Sequence, residues 1–398
     1  MAVNTPFSQQ ELIPQEEKLD VKKHREQLFI GLPKENFDTE NRICLTPEAV
    51  AMLTANGHRV LMESDAGKMA SYTDKEYSEA GAEITHDTEK VFACPIVIKV
   101  QPPTLDEIAW MKMGGYLFSA IQFKTQTAAY FNALSKKKIT ALSYECIEDN
   151  EGSNPFLNAM SEIAGVASIH IASEYMNKYN KGKGLLFGNI TGVLPTEVVI
   201  VGAGTVAEYA AKTALAFGAN VKVFDNSIHR LKRIQKLLPQ PISTSTIQEK
   251  VLKKALRRCD VVIGAIRGIN RSPIVITEDM IQLMKTNAVI IDVCIDNGGC
   301  VETSELTSHQ KPVLRKHGVI HYCVPNISSR YSKTSSQAIS NILSTYLMDI
   351  GEYGGIEDYI GRVKSIRSGI YLYKGILVSR QAGEWCGLDN KDINLLLL

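Results

Sequence analysis

Several things are missing from this chain. It has no run of about 18 apolar residues, the length a membrane-crossing helix needs, so no span is expected. Residues 1–27, "MAVNTPFSQQELIPQEEKLDVKKHREQ", lack the apolar centre of a signal peptide and read as a polar extension, mobile or docked on the surface. Neither sign of charge is in excess: 44 Lys+Arg stand against 43 Asp+Glu, with no long block of one sign. That balance argues against a nucleic-acid or membrane-surface partner. The eight cysteines show no C-x-x-C spacing and no Cys/His cluster. They read as reduced thiols in a cytoplasmic protein, with no structural metal. Fixed-period repeats and low-complexity tracts are also absent.

What is present is a long, ordinary globular composition. A chain of 398 residues exceeds one compact core, so two domains are expected. "LFIGLPKE" reads as a buried strand leaving into a Gly-Pro turn. "TPEAVAMLTANG" reads as a helix, with Thr46 at the N-cap, Pro47 at the first position and Gly57 past the end. "HRVLMES", "CPIVIKVQ", "GGYLFSAIQ" and "KKKITALSYECI" are further strands. The run Lys136–Lys138 is a solvated helix end. A long helix is expected from about Asn158 to Tyr179, and amphipathic helices from about Lys333. Strands alternating with helices mean parallel α/β sheets.

The most informative stretch is "VVIVGAGTVAEYAA". Gly202-x-Gly204-x-x-Ala207 follows an apolar strand and opens an Ala-rich helix. Gly202 permits the tight turn, Gly204 lets a pyrophosphate approach the backbone, and Ala207 allows close packing. Thr205 and Val206 would flank the phosphates at the positive end of the helix. Asp225 ends the next strand, 21 residues after Gly204, where a carboxylate accepts hydrogen bonds from ribose hydroxyls. It would repel a 2′-phosphate, so NAD is favoured over NADP. "VIGAIRG", with Ala265 and Ile266, and "IIDVCIDNGG", with Ile295, end in small or polar residues. Ligands in such sheets lie beyond these strand ends. Asp296 is the candidate for chemistry there, and Asp292 reads as a structural carboxylate capping local amides. His321 reads as structural, and Cys294, Cys300 and Cys323 lack a nucleophile–base pattern.

"ENRICLTPEAV", "SEIAG", "VVIVGAGTVAEYAA", "IDVCIDNGGCVETS" and "HYCVPNISSRYSKTSSQAISN" resemble the alanine dehydrogenases, kin to the NAD-binding part of pyridine nucleotide transhydrogenases. The resemblance runs from about Leu28 to the C-terminus. It implies an α/β protein of two doubly wound domains. A Rossmann NAD-binding domain, residues 155–332, is inserted in a substrate domain made from residues 28–154 and 333–398. It implies reversible conversion of L-alanine to pyruvate and ammonium, with hydride passing to NAD, in a homo-oligomer, hexamer or dimer.

The resemblance also implies roles. Arg42 matches the arginine that grips the substrate carboxylate, a task suited to its planar fork. Ser161 matches a contact near the nicotinamide, Arg230 a basic residue near the adenosine, and Asp296 the active-site aspartate. Asn326, with Val324 before it, matches a residue beside nicotinamide and substrate. Two positions depart. Gln101 stands where the family has a lysine that polarises the carbonyl, and Gln122 where it has a catalytic histidine. Neutral amides donate hydrogen bonds but do not titrate near neutral pH. Lys99 shares a strand face with Gln101, so Lys99 or Lys124 is expected to supply charge to the substrate. Three readings follow: an alanine or close amino-acid dehydrogenase, an oxidoreductase on another amino or oxo acid, or a non-catalytic NAD-binding relative.

Overall fold

The structure is a computed structural model and describes residues 26–149, 151–268 and 271–397. The extension read over residues 1–27 lies almost entirely outside the described residues. The strands, in chain order, are β1 (Phe29–Leu32), β2 (Arg59–Glu63), β3 (Glu83–Thr85), β4 (Ile96–Ile98), β5 (Tyr116–Ser119) and β6 (Thr140–Ser143). There follow β7 (Glu197–Val201), β8 (Asn220–Phe224), β9 (Ser243–Ser245), β10 (Val261–Gly264), β11 (Val289–Asp292), β12 (Val313–Lys316) and β13 (Val319–Tyr322). The last two are β14 (Ile370–Tyr373) and β15 (Ile376–Leu377).

They form two sheets. The first has the order β15-β14-β6-β5-β4-β1-β2-β3, and the second β12-β13-β11-β10-β7-β8-β9. Strands β1 to β6 pair in parallel, as do β7 to β11 with β13. Short runs such as "IVI" and "VIID" are buried throughout, as strands covered by helices on both faces require. In each sheet the strand order reverses beside the first strand, between β1 and β4 and between β7 and β10. These are the switch points where crevices open at carboxyl ends.

The helix Pro155–Met176 joins the sheets. It begins three residues before the expected start because the Asn154 side chain accepts the Leu157 N–H and Pro155 occupies the first turn. It lies tightly against the helix Thr205–Ala216: a Cβ on Gly165 would stand 2.5 Å from the Val206 carbonyl oxygen. The helix Ser332–Glu352 returns to the first sheet. Ile339, Leu343, Leu347 and Ile350 recur at helical spacing and are buried in the first core. Each such side chain contributes roughly 1.5–3 kcal/mol relative to exposure. Ser336 and Ser340 accept the Ile43 and Thr46 N–H groups, both at 2.9 Å. Thr46 sits at the expected N-cap, but its hydroxyl pairs with Ser340 instead of a helix amide.

Two hairpins depart from the sequence expectation. The C-terminal segment, expected to be helical, also contributes β14 and β15, antiparallel on the edge of the first sheet. Their turn places Lys374 and Gly375 at φ 50° and 82°. The β12–β13 turn does the same with His317 and Gly318, at 49° and 73°. Two consecutive left-handed residues match the twist of flanking strands, and only one glycine marks each turn in the sequence. Among the described residues no helix is long and apolar enough to cross a membrane.

Candidate active site

The Gly202 turn ends β7 at the second switch point. Gly202 has φ 113°, and a Cβ there would stand 2.2 Å from the Ala265 carbonyl oxygen at the end of β10. Only glycine fits. Gly204 is different: it caps the helix Thr205–Ala216, and nothing lies within 4 Å of the Cβ it lacks. The open space sits over the helix amides, where a pyrophosphate would lie. Asp225, buried at the end of β8, accepts the Ala203 N–H at 2.8 Å and the Ser227 N–H at 2.7 Å. It therefore ties the glycine turn to the next strand. Arg230 is exposed one turn into the following helix, whose N-cap is Ser227. Ala265 and Ile266 border the β10 end, half-buried. Ile295 and Val324 are buried at the ends of β11 and β13, and Ser161 is half-buried on the joining helix.

Arg42 lies before the first helix, 7% exposed, and its fork is already filled. Nε donates to Glu40 Oε1 at 2.7 Å and Nη2 to Oε2 at 2.6 Å. Nη1 reaches Ser328 Oγ at 3.1 Å and Met160 Sδ at 3.3 Å. Glu40 is fully buried and also accepts from Asn326 Nδ2 at 2.8 Å and Ser329 Oγ at 3.0 Å. Burial alone would raise its pKa, but Arg42 and these donors hold it below the usual range. The expected bidentate grip of Arg42 on a substrate carboxylate thus meets an internal carboxylate in the same place.

Lys99 is likewise committed. Its Nζ lies 3.1 Å from Glu35 Oε2, with both side chains buried, and 3.8 Å from Glu107. Glu35 also accepts the Val100 N–H at 2.5 Å, pinning the loop after β4. Burial pushes Glu35 up to about 7, against the pull of Lys99. Through Glu35, Lys99 holds this loop. Gln101 is half-buried and accepts a hydrogen bond from Thr39 Oγ1 at 3.1 Å. Gln122 follows β5 at φ 48°, exposed.

Asp296 sits in a short turn after β11, and Gly298 and Gly299 follow at φ 92° and 72°. Its Oδ1 accepts the Asn326 N–H at 2.9 Å. Asn326, itself left-handed, thus joins Asp296 to Glu40 and Arg42. Solvent reaches Asp296, yet the surrounding protein strips enough hydration to raise its pKa. The Asn326 amide, Arg42 and Arg267 pull the other way.

Three neighbours were not singled out by the sequence: Glu40, Glu145 and Arg267. Glu145 follows β6; burial raises its pKa, Arg42 and Arg267 lower it, and Asp296 and Glu40 raise it further. Glu145 and Arg267 lie just beyond strand ends, which was the available signal. Lys124 reaches across to Asn297 Oδ1 at 3.0 Å.

Asp292 and His321 are buried and hydrogen-bonded within the fold. Asp292 accepts the Cys300 N–H at 3.2 Å and the Cys294 thiol at 3.1 Å, and also the Val301 N–H, as its capping role required. Asp292, Cys294 and Cys300 bring ligand-type atoms within 4.8 Å of one another. The carboxylate's existing donors make the group a staple of the Asp296 loop. His321 is fully buried between Thr303 Oγ1 at 2.8 Å and the Val319 carbonyl at 3.1 Å, and burial lowers its pKa.

Residues 31–164 match the family described as alanine dehydrogenase/PNT, N-terminal domain, and residues 168–380 match its C-terminal domain. The chain belongs to the alanine dehydrogenase/PNT family. Within this family it is 36% identical to an alanine dehydrogenase of Staphylococcus haemolyticus over 90% of this chain and 96% of that one. It is 38% identical to an alanine dehydrogenase of Methanococcus maripaludis over 82% and 88%. A solved L-alanine dehydrogenase superposes with a TM-score of 0.85 at 31% identity, over 90% of this chain and 99% of that one. A Sinorhizobium meliloti transhydrogenase shares the fold, with a TM-score of 0.76 at 20% identity. Family membership makes the chain an oxidoreductase with two parallel-dominated α/β sheets.

Proposed function

We propose that the protein is an NAD-dependent amino-acid dehydrogenase that interconverts L-alanine with pyruvate and ammonium. The observation that carries this reading is the convergence of a dinucleotide cradle and a charged cluster at the same strand ends. Gly204 leaves room for a pyrophosphate after β7, and Asp296 lies beyond β11, two strands away across β10. Asp225 favours NAD, since its carboxylate would face a 2′-phosphate with like charge.

Bound NAD supplies the hydride acceptor. The chain's own groups do the rest. Asp296, with its raised pKa, accepts the proton released as the amine becomes an imine, or orients the water that attacks it. Asn326 fixes the Asp296 carboxylate through its backbone N–H. Gln101 and Gln122 offer amide donors to the substrate oxygen. Arg42, held by Glu40, adds positive charge that favours the ionised form of Asp296. Positioning of this kind removes a large part of the barrier.

The test is NADH formation at 340 nm over a panel of amino acids. Turnover with L-alanine, lowered on the order of 10²-fold or more in Asp296→Asn, is expected. Gln101 and Gln122 support a second reading, in which another amino or hydroxy acid is preferred because amides replace titratable groups. Activity confined to alanine would reject that alternative, and a flat trace across the panel would reject both.

A further inference from the structure

The even balance of charge in the whole chain hides a local excess. Residues 228–258 hold nine Lys and Arg against a single acid, Glu249, while the full chain nets +1. This segment wraps the free edge of the second sheet. β9 is the last strand there, so no strand pairs with its outer side. The helix Ile228–Leu237 covers one face, packing Leu231 and Ile234 with Val223. The helix Glu249–Leu256 covers the other, packing Leu252 and Leu256 with Phe224. Between this second helix and the strands β8 and β9 runs a groove of about 370 Å³. Phe224, Val251 and Ala255 give it an apolar lining, and Lys254 and Arg258 stand along it. Val251, Lys254 and Arg258 recur at helical spacing and so share one side of the helix. Lys253 is taken up by Glu249 and Asp279. Lys254 and Arg258 are exposed, and among the described residues neither makes an ion pair. The helix runs back from the carboxyl ends of the strands, because it joins the end of β9 to the start of β10. That places Lys254 and Arg258 on its far half, away from the Gly202 turn.

We propose that this edge is a docking site for an acidic, extended segment of a partner protein, which lies along β9 with its carboxylates on Lys254 and Arg258. The proposal does not depend on the dehydrogenase reading. β9 supplies the backbone partners. The Ser245 carbonyl faces β8, where it accepts the Asp225 N–H at 3.2 Å. Backbone groups alternate sides along a strand, so the Thr244 N–H and carbonyl face outward. Strands added to such an edge take affinity from main-chain hydrogen bonds and specificity from side-chain pockets. Here the pocket is cationic and apolar at once, which suits carboxylates spaced by aliphatic residues. Nucleic acid fits less well. Single strands stack their bases on aromatic faces, and the groove's one aromatic ring, Phe224, is buried.

The test is fluorescence anisotropy of a labelled, alternating Glu-Val octapeptide titrated with the full chain. Saturable binding is expected, and none of the matching Lys-Val peptide. Lys254→Glu combined with Arg258→Glu should weaken the acidic peptide at least tenfold. Thr244→Pro removes the outward N–H, a change that an edge strand tolerates on its solvent side, and should weaken it at least threefold. Both variants should keep the wild-type circular dichroism spectrum, which shows an intact fold. A wild-type chain that does not bind the acidic peptide overturns the proposal. So does unchanged affinity in the charge-reversed variant or in Thr244→Pro. An oligothymidylate of equal charge that binds more tightly than the peptide assigns the edge to nucleic acid instead. A charge-reversed variant that changes only the oligomer size in ultracentrifugation assigns it to a second copy of the chain.

Discussion

Glu40 fills both prongs of the Arg42 guanidinium, with Nε–Oε1 at 2.7 Å and Nη2–Oε2 at 2.6 Å. The pair is buried, and Asn326, Ser328 and Ser329 close around it from beyond β13. Breaking one side leaves a buried charge without its partner, which costs about 3–5 kcal/mol. Glu40→Gln is therefore expected to lower unfolding free energy by about 3 kcal/mol in urea titration. A loss below about 1 kcal/mol would show that Arg42 finds another partner.

The dinucleotide turn predicts a contrast between neighbouring glycines. Gly202→Ala forces a Cβ against the Ala265 carbonyl at a positive φ, so it should destabilise the fold. Gly204→Ala meets no atom within 4 Å and has an ordinary φ of −86°. It should cost about 1 kcal/mol or less as a changed helix cap. Yet it fills the ligand's space, so NAD affinity should fall at least tenfold by calorimetry. Equal affinity in wild type and Gly204→Ala would place the pyrophosphate elsewhere.

Glu35 gives a pH dependence with a fixed sign. Burial raises its folded pKa to about 7 from 4.5. Between these values the folded state binds more protons than the unfolded state, so stability falls as pH rises. At 1.36 kcal/mol per pKa unit, the fall is up to about 3 kcal/mol. Glu35→Gln removes this titration. Wild type should lose stability relative to Glu35→Gln between pH 5 and pH 8, followed by urea unfolding. Parallel profiles would mean that Lys99 keeps Glu35 ionised throughout.

Asp296 titrates above the ordinary aspartate range because the cleft strips its hydration. As a proton acceptor it must be ionised, so amino-acid oxidation should rise with pH through that raised value. Asp296→Asn should lose the limb and on the order of 10²-fold or more in kcat. A surviving acid limb in the variant would assign it to Glu145.

Much of this was legible in the residues. The glycine turn and Asp225 have strict local chemistry, and "VVIVGAG" supplies strand, turn and helix in one stretch. The structural roles of Asp292 and His321 were also readable. Side-chain commitments were not. Lys99 looked available because Glu35 lies 64 positions earlier in the sequence, and nothing local announces their pairing. Arg42 looked free because the two-residue spacing to Glu40 does not reveal a fork already filled. Lys124 donates to Asn297 across the two sheets, 173 positions apart in the chain, which no local signal announces. The β14–β15 hairpin was hidden in a segment of helical character, with Gly375 as its one sign.

The central claim is hydride transfer from an amino-acid α-carbon, and one measurement addresses it directly. The full chain is incubated with NAD and L-alanine deuterated at C2, and the reduced nucleotide is weighed by mass spectrometry. The account predicts NADH one mass unit heavier than that formed from ordinary L-alanine, with pyruvate in equal amount. Absence of reduced nucleotide, or unlabelled NADH, would contradict it.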